Sequence, residues 1–163
     1  MDRLGVLLER LHGFFGAVEA AAARGGARLT ELELGSRARS SLVAADLAAL
    51  RPGRHRLSGA LAPLALPDAD ATLGALYVTE GSTLGGQVIA RRLRTRLGLT
   101  AGQTTSFDPY GPDTAQRWQE LRAFLDAWPG PPAGVVAGAR AAFACYATWV
   151  LAPVALAEQE RIA

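Results

Sequence analysis

The stretch LYVTEGSTLGGQVIARRL, Leu76 to Leu93, places Gly81, Gly85 and Gly86 inside what otherwise reads as one helix. A glycine in a helix interior costs about 1 kcal/mol relative to alanine, so the three together cost about 3 kcal/mol. In a chain so rich in alanine, that cost calls for a return. Three are open on the residues alone. Gly81 and Gly85 lie four apart on one face and would admit another helix backbone at close range. The segment EGSTLGG would make an anion nest, although it lacks the preceding strand and the Lys of a nucleotide loop. A flat, bulky ligand would lie directly on the helix backbone, because glycines remove the Cβ atoms that hold it off and let the helix bend.

The other residue types able to do chemistry are few. The chain has one cysteine, Cys145, so it forms no internal disulfide and no multi-cysteine metal site. In RAAFACYATW it reads as a small buried hydrophobe, with a thiolate ligand or nucleophile as the alternative. His12, within LLERLHGFF, reads as a packed or capped helix residue, and His55, in RPGRHRLSG, as an exposed loop residue. All 17 Lys and Arg residues are Arg, with a small concentration at Arg91, Arg92, Arg94 and Arg96. On a helix these four spread over more than one face and read as a solvated helix end.

Helices must position these groups. Leu4, Leu7, Leu8, Leu11, Phe14, Phe15 and Val18 follow helical spacing and predict a helix from about Asp2 to Ala23, closed by Gly25 and Gly26. A second helix is expected from about Ser36 to Leu50. A Pro-interrupted connector follows, in which Asp68 or Asp70 is placed to cap the next helix. That third helix carries the glycine stretch, from about Ala71 to Leu97. The run GLTAGQTTSFDPYGPD is a loop, and Asp113 or Thr114 caps a fourth helix to about Trp128. PGPPAG breaks it, and a last helix runs from about Val135 to Glu160 with a kink at Pro153. No alternating β-branched run predicts a strand. The fold class is therefore all-α, with residues 1–163 read as one domain.

Composition bounds the function. Half of the residues are hydrophobic and 20% are charged, as in a globular chain. A net charge of +2 without a clustered patch argues against nucleic acid as a partner. Each apolar run is broken by Arg, Gly, Pro or a carboxylate before it reaches the length of a membrane span. The N-terminus MDRLGVLLERLHGFF lacks the layout of a secretory signal, so a cytoplasmic protein is the expectation.

The segment ALYVTEGSTLGGQVIARRL resembles the distal helix of bacterial heme oxygenases, in particular those associated with bacterial phytochromes. LLERLHGFFGAVEAA resembles the second helix of that family and LVAADLAAL the helix after it. The FDPYG loop, the Trp118 helix and ARAAFACYATW follow in the family's order, so the resemblance covers nearly all of the chain. Its most specific part is Glu80-Gly81-Ser82 followed by Leu84-Gly85-Gly86-Gln87 at mid-helix.

The resemblance implies an all-helical bundle holding heme between two helices, with heme as both cofactor and substrate. O2 and an external electron donor protein convert heme to biliverdin, CO and Fe(II), and for the associated type a phytochrome receives the product. It implies that Gly81, Gly85 and Gly86 form the distal wall, Gly81 and Gly85 serving catalysis by bringing backbone near the iron-bound oxygen. Ser82 and Leu84 would line that wall. Animal relatives carry an Asp after the first glycine, to organise distal water; here that place is Ser82, an uncharged group. Arg122 falls where the family places a basic residue for a heme propionate, and Phe143 where an aromatic packs on heme. The family's proximal His belongs to a helix upstream of the LLERLHGFF match. The expected bundle is therefore N-terminally shortened, with no protein metal ligand assigned, and the uncovered apolar face predicts a homodimer. Two readings remain beside the enzyme: a non-catalytic heme- or bilin-binding module, and a helical interaction domain whose glycines serve packing.

Overall fold

The computed structural model describes residues 2–51, 57 and 59–152. Among those residues every regular element is helical. Helix α1 spans Asp2–Arg24 and buries Leu8, Leu11, Phe14, Phe15 and Val18, the stripe set by its spacing. It ends at Gly25 and at Gly26, whose φ of 86° suits glycine. Two short turns follow, α2 at Ala27–Thr30 and α3 at Leu34–Arg37.

Helix α4 spans Ser40–Leu50, four residues shorter at its start than the expected Ser36. The reason is tertiary. Glu19 of α1 accepts hydrogen bonds from the backbone N–H groups of Arg39 and Ser40, at 2.7 and 2.9 Å, and from the Ser40 hydroxyl. A carboxylate from another helix thus caps α4 where its unpaired N–H groups point. Ala38 is extended, with φ −67° and ψ 127°, and separates α3 from α4.

Helix α5 is the longest element, Ala69–Leu97. Asp68, one of the two expected caps, accepts from the Ala71 N–H at 2.8 Å. Asp68→Ala is expected to lower stability by about 1 kcal/mol, read as a shift of the denaturant midpoint at unchanged slope. Gly98 ends the helix in the left-handed region, φ 67°. Three 3-10 turns, Ala101–Gln103, Thr105–Phe107 and Gly111–Asp113, carry the chain to α6, Thr114–Asp126. Asp46 of α4, fully buried, holds this loop by accepting from the N–H groups of Thr105 and Ser106 at 2.9 and 2.7 Å.

Helix α7 spans Pro132–Cys145 and continues as a π-helical turn, Tyr146–Val150. It lies tightly along α5. A Cβ on Gly74 would overlap the Val135 carbonyl oxygen, and one on Gly138 the Ala71 carbonyl oxygen. Close packing through glycine, one of the three returns considered for the Gly81 stretch, is therefore made by Gly74 and Gly138. Taken together, Pro132–Val150 is long and apolar enough, by length and composition, to cross a membrane. The interrupted runs read from sequence did not anticipate this; α7 is rich in Ala, Gly and Val, with Arg140 its one charge, and the π-helical turn extends it. Cys145 is buried, as expected for a small hydrophobe, and that burial raises its thiol pKa. His55, Pro153 and the expected continuation to Glu160 lie outside the described residues.

Candidate functional site

Helix α5 has two working faces. Leu73, Leu76, Glu80, Thr83 and Ala90 are buried against the rest of the molecule. Tyr77, Gly81, Leu84 and Val88, spaced four, three and four residues apart, fall on one stripe. Along that stripe Tyr77, Leu84 and Val88 are 41%, 47% and 50% exposed. A stripe of large apolar side chains left this open is a ligand or partner surface by default.

The stripe forms one wall of a groove of about 470 Å³. Tyr77, Val78, Thr79, Gly81, Ser82 and Leu84 come from α5, Phe14 and Phe15 from α1, Trp118 from α6, and Phe143 and Tyr146 from α7 and its π-helical turn. Its walls are therefore mainly rings and aliphatic groups, and its size suits a flat organic molecule. Trp118 packs at a tilt on Tyr77, ring centroids 5.1 Å apart, and Phe14 meets Tyr146 edge-on at 5.5 Å. These contacts hold the aromatic walls in place. Phe143 is 60% exposed, presenting its ring at the mouth.

Two buried arginines support the α5 wall from behind. Arg37 donates from Nη1 to Glu80 Oε2 at 2.5 Å, from Nη2 to Glu120 Oε2 at 3.2 Å, and from Nε to the Leu32 carbonyl at 2.8 Å. The Tyr110 hydroxyl donates to Glu80 Oε1 at 2.8 Å. Burial, reinforced by the Glu80 charge, pushes the Tyr110 phenol well above its ordinary pKa and keeps it a donor. Arg39 donates from Nη1 to the Thr79 carbonyl at 3.0 Å and to Ser82 Oγ at 2.7 Å, and from Nη2 to the Ser106 carbonyl at 2.6 Å. Its guanidinium lies over the Phe15 ring, 4.2 Å from the centroid. Burial lowers the Arg39 pKa, with Glu80 acting in the opposite direction, and an arginine remains charged under such a shift.

The family model for heme oxygenase matches residues 7–152. The chain belongs to the heme oxygenase family. No curated protein and no solved structure matches it. Membership implies heme binding and O2 use, and the all-helical architecture is that of a heme oxygenase.

The site residues expected of a heme oxygenase separate on the structure. Gly81, Ser82, Leu84 and Phe143 come together on the groove. Gly85 follows Gly81 by one turn and a Cβ there would meet nothing within 4 Å. Gly86 faces elsewhere: a Cβ on it would overlap the Phe107 carbonyl oxygen of the loop. Arg122 is exposed on α6 and does not line the groove. Tyr77, Trp118 and Tyr146 line it without having been singled out in sequence, where aromatic residues on helices read equally well as core. Arg37 and Arg39 were missed because SRARSS reads as the first turn of the second helix, where nothing local marks an arginine as buried.

The apolar walls fit the flat ring of heme, and the bare Gly81 backbone fits its close approach. No His or Cys lines the groove. His12 is half-buried on α1 and is not among the lining residues, and among the described residues no group of three or more His, Cys, Asp or Glu side chains is placed to hold a metal ion.

Proposed function

We propose that this chain is a heme oxygenase whose groove takes heme as substrate, one face of the ring against Gly81 and Leu84. The observation that carries the reading is an aromatic-lined groove of about 470 Å³ on the glycine stripe of α5, within the span matched by the family model. Heme, with O2 and electrons from an external donor, supplies the oxidative chemistry that yields biliverdin, CO and Fe(II). The residues of this chain supply placement. Gly81 sets the distance between ring and backbone, Leu84 and Phe143 keep water from the ring edge, and Trp118 and Phe14 fix its lateral position. Among the described residues the groove lining offers no His or Cys that would hold the iron. A recipient of biliverdin, such as a phytochrome, completes the proposal.

The test is a titration with hemin followed in the Soret region, then reductant and O2 with biliverdin read by its visible absorption. Gly81→Leu is expected to weaken hemin binding at least tenfold, because its side chain fills the groove, while Gly81→Ala meets Trp118 at an ordinary 3.4 Å and folds. Equal hemin affinity in Gly81→Leu and wild type would remove the groove from consideration. The absence of His and Cys from its lining favours one second reading, a bilin-binding module. That reading predicts tight biliverdin binding and no turnover of hemin.

A further inference from the structure

The Ser82 hydroxyl is the polar group of the groove whose hydrogen-bond state is fully determined by its neighbours. Ser82 Oγ is 2.7 Å from Arg39 Nη1 and 2.6 Å from the Thr79 carbonyl oxygen. A guanidinium has only donors, so Ser82 must accept from it; a carbonyl has only lone pairs, so Ser82 must donate to it. The hydroxyl's proton is committed to the helix, and one lone pair is committed to Arg39. What remains on an oxygen with two lone pairs is one acceptor site, on a residue that lines the groove.

The commitment is held firmly. Arg39 is 5% exposed, and its other nitrogen bonds go to the Thr79 and Ser106 carbonyls. Phe15 covers its face, and Ser106 is anchored in turn by Asp46. Glu80, Glu19, Tyr110 and Tyr146 are the titratable groups whose fields reach Arg39. None of the three acceptors of the Arg39 guanidinium carries a charge, so its positive charge is not neutralised by a direct partner behind the groove wall.

We propose that Arg39 is a positioning residue that makes Ser82 an acceptor-only group, so that the molecule in the groove presents a hydrogen-bond donor to α5. The inference rests on reading the groove as a tetrapyrrole site and adds the polarity of the contact. The donor is an N–H or O–H. A bilin supplies it from its own pyrrole N–H groups, and heme, which has none, supplies it through a water held on the ring face. The position that looks in sequence like a weakened replacement for a carboxylate therefore keeps the acceptor character of one, with the opposite charge behind it.

The experiment measures binding of biliverdin and of hemin, separately, to the full chain and to Ser82→Ala, Ser82→Asp and Ser82→Asp with Arg39→Met. Ser82→Ala is expected to weaken the ligand that uses the contact about 3- to 10-fold, the range of one hydrogen bond. Loss with biliverdin assigns the donor to the pyrrole N–H, and loss with hemin alone assigns it to water. Ser82→Asp, a stronger acceptor that pairs with Arg39, is expected to tighten the same ligand, and Arg39→Met to abolish that gain. If Ser82 instead donates to the ligand, Ser82→Asp weakens binding at least as much as Ser82→Ala, which overturns the proposal. Binding unaffected by any Ser82 substitution also overturns it while leaving the groove standing. A wild-type chain that takes up neither tetrapyrrole overturns the groove reading and this inference with it. Circular dichroism of each variant confirms that Ser82, an exposed position, tolerates the changes.

Discussion

Glu80→Ala is expected to cost about 3–5 kcal/mol of stability, the range for breaking one side of a buried ion pair. Glu80 is 2% exposed and Arg37 6%. The carboxylate uses one oxygen for Arg37 and the other for the Tyr110 hydroxyl. With the carboxylate gone, the Arg37 guanidinium keeps the Leu32 carbonyl and Glu120, whose side chain is 41% exposed and shares itself with Arg117. Tyr110 also loses its acceptor inside the protein. The penalty comes from stranding a buried charge, which distinguishes it from loss of packing. Glu80→Leu combined with Arg37→Leu is therefore expected to be less destabilised than Glu80→Ala alone, because no charge is left unpaired. Urea denaturation of the three proteins checks this, and a double variant weaker than the single one would contradict it. The pair also joins α3, α5 and the loop before α6 at the residue preceding Gly81, so Glu80→Ala is expected to weaken hemin binding as well.

Neighbouring glycines are expected to respond with opposite signs. Gly86→Ala places a methyl group on the Phe107 carbonyl oxygen. That oxygen belongs to a loop held on both sides, by Asp46 through the N–H groups of Thr105 and Ser106 and by Arg39 through the Ser106 carbonyl. The loop cannot retreat without breaking buried hydrogen bonds, and the expected loss is about 3 kcal/mol, the upper end for an overpacked site. Gly85→Ala meets open space and replaces a glycine inside a helix. It is expected to raise stability by about 1 kcal/mol. Denaturant midpoints of the two variants check the pair, and a destabilised Gly85→Ala would show that Gly85 is confined in solution.

These glycines show how much of the site was legible in the sequence. Spacing alone placed Gly81 and Gly85 on one face of a helix, and the resemblance carried by the order of motifs placed that helix, with Leu84 beside the glycines, within a heme oxygenase. The three competing explanations for the glycines could not be separated, because each depends on what lies opposite. The structure distributes them: Gly81 opens the groove, Gly85 faces free space, and Gly86 admits a loop backbone. The helix contact considered for Gly81 and Gly85 is made by Gly74 and Gly138.

Arg122 and Arg39 make the same point with charge. On a helix surface Arg122 matched a family position, and it stays exposed away from the groove. Arg39 falls in the stretch expected to open the second helix, and it is buried behind Ser82 because Phe15, Thr79 and Ser106, residues 24, 40 and 67 positions distant, converge on it. The sequence by itself determined the main helices, their apolar stripes, a cap at Asp68 or Asp70 and the glycine face, since these follow from periods of three to four residues and from local hydrogen bonds. The tertiary structure alone decided which stripe faces the groove, which glycine meets backbone, where α4 begins and which arginines are buried. Those outcomes depend on groups brought together from distant parts of the chain, where a few ångströms of packing choose between a solvated charge and a buried one.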